Sequence, residues 1–217
     1  PTTVSLRPER RLRLLELSKR KGIVLVEDDY DHEFHFDHQP LLPLASASLD
    51  RTVYIGSLSK LISPSLRIGY LASSTGFVDD IANEIMLVDR QGSQTMETAV
   101  AELMGEHISS YARKVHALYK KRRDHFAAAL GDAFGDDLIF KVPAGGLALW
   151  VCFERPIDIQ ELVAAAFHER LKILPTRNFA SDGNAPCGLR LGFASMNEAE
   201  LTSAVTRLRN AYLAIAS

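Results

Sequence analysis

Six side chains of complementary chemistry fall between residues 28 and 67. Lys60 closes the run Gly56-Ser57-Leu58-Ser59-Lys60; Asp28 and Tyr30 lie in Val26-Glu27-Asp28-Asp29-Tyr30; Arg67 lies in Leu66-Arg67-Ile68-Gly69-Tyr70. A lysine amine condenses with an aldehyde once its proton is displaced. A carboxylate beside a pyridine nitrogen keeps it protonated, which turns the ring into an electron sink. A phenol can hydrogen-bond an oxygen on such a ring. The hydroxyls of Ser57 and Ser59 and the guanidinium of Arg67 are donors for a phosphate dianion. Amine, acid, phenol and cation together are what a phosphorylated aldehyde cofactor needs. Each residue taken alone has an ordinary reading: a surface lysine, an acidic turn, an arginine paired with a carboxylate.

Arg190 stands in the apolar run Gly188-Leu189-Arg190-Leu191-Gly192-Phe193. A guanidinium among strand residues is costly to bury without an anion, and its fork geometry suits a carboxylate; an edge-strand arginine in water is the alternative. His32, Glu33, His35 and His38 cluster, but only Phe34 separates Glu33 from His35, so the spacing is not that of His-Glu-x-x-His. Exposed loop histidines, with no metal, are expected there.

These residues need elements to hold them. Residues 5–22 carry leucines among arginines and end at Gly22, a helix with its stop signal. Residues 23–26, 52–55 and 67–72 read as buried strands, so the chemical residues sit at strand tips, as in an open α/β sheet. Residues 77–90, 95–104 and 107–130 read as helices, the last with Tyr111, Val115, Leu118, Tyr119 and Phe126 on one face. Beyond residue 137 strand and helix alternate: strands at 145–153, 173–175 and 189–194, helices at 158–172 and 198–214. Asp158 with Glu161 suggests a capping box, and Asn197 a second cap. The division expected is 1–106 and 107–217, a partial α/β domain followed by a long connecting helix and a small α+β domain.

The composition is that of a globular chain: 217 residues, 47% hydrophobic, 24% charged, net charge −2. That balance argues against a nucleic-acid footprint through this segment. The basic runs at 7–13 and 120–123 read as solvated helix faces. Cys152 and Cys187 lack metal-type spacing and point to a reducing, cytoplasmic setting, with Cys152 a buried strand residue. Neither an apolar run long enough for a membrane span nor a signal-peptide pattern is read. A chain opening Pro1-Thr2-Thr3 is expected to be a piece of a longer protein.

Five segments in fixed order give a specific resemblance: Glu27-Asp28-Asp29-Tyr30-Asp31-x-Glu33-Phe34; Gly56-Ser57-Leu58-Ser59-Lys60-x-x-x-Pro64-x-Leu66-Arg67-Ile68-Gly69-Tyr70; Leu118-Tyr119-x-x-Arg122-Arg123-Asp124; Ala144-Gly145-Gly146-Leu147; and Leu189-Arg190-Leu191-Gly192-Phe193. The chain resembles the C-terminal half of fold-type-I, pyridoxal-phosphate-dependent aminotransferases of class I/II. It looks most like the aminotransferase-like domain of GntR-type bacterial regulators of the MocR subfamily.

The resemblance implies that Lys60 is the Schiff-base lysine and proton carrier. By the same resemblance Asp28 meets the pyridine nitrogen and Tyr30 the 3-oxygen. Ser57 and Arg67 bind phosphate, and Arg190 clamps the carboxylate of an amino acid or amine ligand. It further implies a homodimer, and an N-terminal half that supplies phosphate-binding backbone amides, a ring-stacking aromatic and an asparagine, none of which lies in this chain. Three functions stay open: a transaminase, a ligand sensor in a transcriptional regulator, and a fragment that no longer holds cofactor. A sensor needs only different ligand affinities in two states.

Overall fold

Helix α1 spans Pro8–Lys21, with proline in its first turn and its end at Gly22, whose φ of 67° is left-handed and whose N–H caps Ser18 O. The cap consumes the backbone of the next residue too. Ile23 N donates to Ser18 O (3.1 Å) and Ser18 Oγ to Ile23 O (2.5 Å). The first strand therefore does not occupy the expected 23–26: β1 runs Leu25–Asp29 and takes in the acidic residues. It pairs in parallel with β2, Thr52–Ser57, and β2 pairs antiparallel with β3, Gly69–Ala72. The order β1-β2-β3 is a small mixed sheet. Strand β3 starts two residues later than expected because Arg67 has a left-handed φ of 53°. The computed structural model describes residues 2–37, 41–180 and 187–216.

Two helices follow: α2, Thr75–Val88, and α3, Gln94–Glu106. No residue of α2 is buried, and Leu87 is 78% exposed. The first strand is not buried as expected either, since Val26 is 65% exposed. The buried apolar residues of this part of the chain include Phe34, Phe36, Leu44, Val53, Tyr54, Leu58 and Leu61, with Val100 on α3.

Helix α4, Ile108–Phe134, is amphipathic, but its buried positions are Arg123, Phe126, Ala127, Leu130 and Phe134; Leu118 is exposed, contrary to the expected face. The run 120–123 is not a solvated face throughout. Arg123 is buried, donating to Pro143 O at 2.8 Å and pairing with Asp124 at 2.7 Å. A second sheet holds β4 (Leu138–Phe140), β5 (Ala148–Phe153) and β6 (Leu189–Gly192), all antiparallel neighbours. Helices α5, Ile159–His168, and α6, Glu198–Ile215, complete this part. Residues 173–175 form no strand; Pro175 opens a 3₁₀ turn, and Thr176 Oγ1 donates to Gly188 O at 3.0 Å.

Asp158 caps α5 by accepting from Gln160 N and Glu161 N, and the reciprocal box forms at α6, between Asn197 and Glu200. Cys152 is half-buried rather than buried, its Sγ donating to Cys187 O at 3.1 Å. The chain separates into two compact units, Ser5–His116 and Ala117–Ser217 with Pro1–Val4.

Candidate functional site

Alternation along β1 and β2 sorts the candidate residues. In a strand, successive side chains take opposite faces, and directly paired residues share a face. Asp28 is paired with Ile55, so Val26, Asp28, Val53, Ile55 and Ser57 lie on one face of the sheet. Leu25, Glu27, Asp29, Thr52 and Tyr54 take the other. Asp28 and Ser57 thus project from the same face, at the C-terminal ends of two parallel strands. Tyr30 begins the turn after β1, and Lys60 follows β2 by three positions.

The segment carrying Lys60 is anchored on both sides. Leu58 and Leu61 are buried at 3% and 4% exposure, Leu58 N donates to Ile68 O, and Ile62 N to Leu58 O. Ser57 Oγ accepts from Ser59 N at 3.2 Å, tightening the turn out of the strand. Tyr111 Oη reaches Ile62 O at 3.4 Å. Between its two buried leucines, Lys60 is exposed. Ser63 caps the 3₁₀ turn Pro64–Leu66, which Arg67 ends, also exposed. The Ser5–His116 unit therefore carries Asp28, Tyr30, Ser57, Lys60 and Arg67.

Arg190 belongs to the other unit. It lies in β6 opposite Trp150 of β5 and is half-buried. Gly188 precedes it at φ 147°, where a Cβ would stand 2.7 Å from Val151 O and 2.8 Å from the Trp150 ring, so only glycine fits.

Sequence reasoning missed the reverse face of the first sheet. Asp29 Oδ2 accepts from His32 Nδ1 at 2.9 Å and from Tyr54 Oη at 3.3 Å. The Tyr54 and Tyr70 rings are 6.1 Å apart, and Tyr70 fills the space above Gly56, where any Cβ would collide with its ring. The hydrogen bond to Asp29 raises the His32 pKa, against the opposing effect of burial. Burial pushes the Glu33 carboxyl and the Tyr54 and Tyr70 phenols up. His32 and His35 are half-buried, not exposed as expected, because Phe34 and Phe36 draw the loop inward. His35 Nδ1 bonds His32 O at 2.9 Å, and His116 Nε2 bonds His35 O at 2.7 Å. Among the described residues no three His, Cys, Asp or Glu side chains converge to hold a metal ion; His38 lies outside those residues. The signal for the reverse-face cluster was the alternation itself, which puts Asp29 opposite Asp28.

By residue type the donor set suits a phosphorylated pyridine aldehyde: Lys60 for the aldehyde, Asp28 for the nitrogen, Tyr30 for a ring oxygen, Ser57 and Arg67 for phosphate. Among the described residues no helix is long and apolar enough to cross a membrane.

The profile of the family "Aminotransferase class I and II" matches residues 1–208. The chain is 29% identical over 213 residues to the uncharacterized HTH-type transcriptional regulator YisV of Bacillus subtilis, covering 94% of this chain and 42% of that protein. It is 25% identical to the 2-aminoadipate transaminase of Thermus thermophilus, over 93% of this chain and 52% of the enzyme. Among solved structures, LysN, an α-aminoadipate aminotransferase from Thermus thermophilus complexed with N-(5'-phosphopyridoxyl)-L-leucine, superposes with a TM-score of 0.89 at 25% identity, over 97% of this chain and 55% of that one. The chain spans about half the length of the curated relatives it matches. Regulators and aminotransferases both stand among those relatives.

Proposed function

The chain belongs to the class I and II aminotransferase family, and on that premise we propose that it is a pyridoxal-phosphate-binding, aminotransferase-like domain of a MocR-type transcriptional regulator, with an amino acid or amine as ligand. The observation that carries this reading is the placement of Asp28 and Ser57 on one sheet face, at the ends of parallel β1 and β2, with Lys60 held just beyond by buried Leu58 and Leu61. The similarity to an HTH-type regulator over 94% of this chain supports the regulatory setting. The similarity to a transaminase keeps a second reading, a free-standing aminotransferase with the same site.

The cofactor, when bound, supplies an electron sink that lets the bonds at an amine's α-carbon break heterolytically. The chain's residues do the rest. Lys60 would provide the amine that holds the aldehyde carbon and, once displaced from it by the ligand's amine, would carry a proton to and from the α-carbon. Asp28 accepts a hydrogen bond from the protonated ring nitrogen, and Tyr30 donates to the 3-oxygen. Ser57 and Arg67 bind phosphate, and Arg190 takes the ligand's carboxylate. Residues 1–106 then form part of the cofactor domain and 107–217 the connecting helix and small domain, in a cytoplasmic homodimer.

The chain spans about half the length of the curated relatives it matches, and we infer that on its own it holds the cofactor weakly. Losing two or three contacts of roughly 1–3 kcal/mol each removes several orders of magnitude of affinity. Titration with pyridoxal 5'-phosphate tests the reading. A visible absorption band that Lys60→Ala abolishes supports it, and no band at millimolar cofactor overturns it. A submicromolar dissociation constant would refute the weak-binding claim. Single-turnover mixing with amino acids separates transaminase from sensor by whether a keto acid is released.

A further inference from the structure

We propose that Asp29, His32 and Tyr54 are positioning residues, a polar clamp on the reverse face of the sheet that fixes Asp28 and Tyr30 relative to Ser57 and Lys60. The inference rests on the cofactor reading above and assigns the site a supporting layer.

The geometry has three parts. Asp29 follows Asp28 in β1, so its side chain leaves the opposite face. The His32 Nδ1 to Asp29 Oδ2 bond of 2.9 Å closes the turn 29–32, and Tyr30 lies inside that turn. Phe34 N to Asp31 O, 2.9 Å, extends it, and fully buried Phe34 pins its far end. The Tyr54 Oη bond of 3.3 Å lands on the same Asp29 oxygen. Tyr54 stands in β2 three residues before Ser57, so the bond ties the Tyr30 turn to the strand that delivers Ser57 and Lys60. Tyr70, packed over Gly56, brings β3 against the same point, two residues after the Arg67–Ile68 step.

An exposed ligand residue on a free turn would sample many orientations, and ordering it would reduce affinity. The clamp removes that freedom before any ligand arrives. Asp29 is a charged acceptor shared by two donors, the stronger kind of hydrogen bond. Its environment makes the bond to His32 sensitive to pH: His32 faces Asp29, with Glu33 and Glu27 adding negative charge and the His35 ring 6.0 Å away.

The test compares His32→Ala, His32→Asn and Tyr54→Phe in the full chain. Asparagine keeps a donor near the Nδ1 position. The first readout needs no cofactor: amide hydrogen exchange of residues 29–34. Exchange there rises about tenfold in His32→Ala and Tyr54→Phe, the effect of one lost hydrogen bond, and less than about threefold in His32→Asn. Amides of the Ala117–Ser217 unit stay unchanged. The second readout is the dissociation constant for pyridoxal 5'-phosphate, which rises about tenfold in the first two variants and is rescued by His32→Asn. Unchanged exchange in both disruptive variants overturns the clamp. So does faster exchange with unaltered cofactor affinity, which would make the cluster purely structural. If the parent chain binds no pyridoxal 5'-phosphate, the cofactor reading fails and the positioning role fails with it; cofactor binding by the parent with unchanged exchange in the variants overturns the clamp alone.

Discussion

The two compact units bury their apolar side chains very differently. In Ala117–Ser217, the C-terminal part of α4, helices α5 and α6 and the antiparallel sheet share a closed core. Leu130, Leu149, Leu162, Leu189 and Leu201 are fully buried, and the Phe153 and Tyr212 rings stack at 5.2 Å. In Ser5–His116, α2 buries nothing and β1 leaves Val26 open. The chemistry follows the opposite trend: five of the six candidate site residues lie on the open unit. A closed core needs only complementary shapes, whereas a ligand site needs exposed polar ends on a scaffold stiff enough to aim them. Local polar ties at Asp29, Glu27 and Ser57 fasten turns and strand ends in the open unit. Glu27, for one, takes Arg11 at 3.1 Å and Leu44 N at 2.6 Å.

The largest test of this contrast is a matched pair of truncations. Leu149→Ala costs about 2–5 kcal/mol of stability. Leu87→Ala, at an exposed position on α2, stays within about 0.5 kcal/mol. Urea unfolding monitored separately in each unit measures both; equal losses would break the contrast. Next, Gly56→Ala forces the Tyr70 ring aside and destabilises the open unit by about 1–3 kcal/mol. Its crystal structure or ring-current NMR shifts would show the displaced phenol. Asn197→Ala removes the reciprocal cap of α6 and costs the closed unit about 1 kcal/mol.

The smallest effect is pH dependence. The His32 pKa is raised in the fold, so its stabilising bond to Asp29 is complete below the ordinary value of 6.5 and fades as pH rises through the raised one. In the closed unit, partial burial works against the Asp124 charge, but Lys120 and Arg123 outweigh it and hold its pKa low. That contribution is present at neutral pH and fades on acidification. Melting each unit across pH 3–9 should show opposite slopes, with the alkaline-side loss absent in His32→Ala.

Much of this was legible in the sequence. Gly22, Asp158 and Asn197 announced helix ends by their chemistry, and the helices fall near where periodicity placed them, although α5 stops at His168 rather than residue 172 and α1 starts at Pro8 rather than residue 5. The candidate residues stood out by type, with Asp28 and Ser57 at strand ends and Lys60 just beyond one, whereas Arg190 lies within β6. What sequence alone did not give arises from competition for backbone or for space. Ile23 looked like strand, but the α1 cap takes its amide and carbonyl. Residues 173–175 looked like strand, but Pro175 turns the chain. Strand β4 is three residues long, too short to carry a period. Arg123 looked solvated because its partners, Asp124 and Pro143 O, are unremarkable in sequence. The reverse-face cluster was hidden because Asp29, His32, Tyr54 and Tyr70 come together only when three strands pair.

The central claim is that Lys60 is the amine of the site. Borohydride reduction of the chain mixed with pyridoxal 5'-phosphate, followed by peptide mass mapping, tests it directly, because trapping registers even weak occupancy. The account predicts one dominant phosphopyridoxyl adduct on the peptide carrying Lys60, lost in Lys60→Ala and weakened in Asp28→Ala. Label spread evenly over the surface lysines, or persisting elsewhere at the same level in Lys60→Ala, would contradict it.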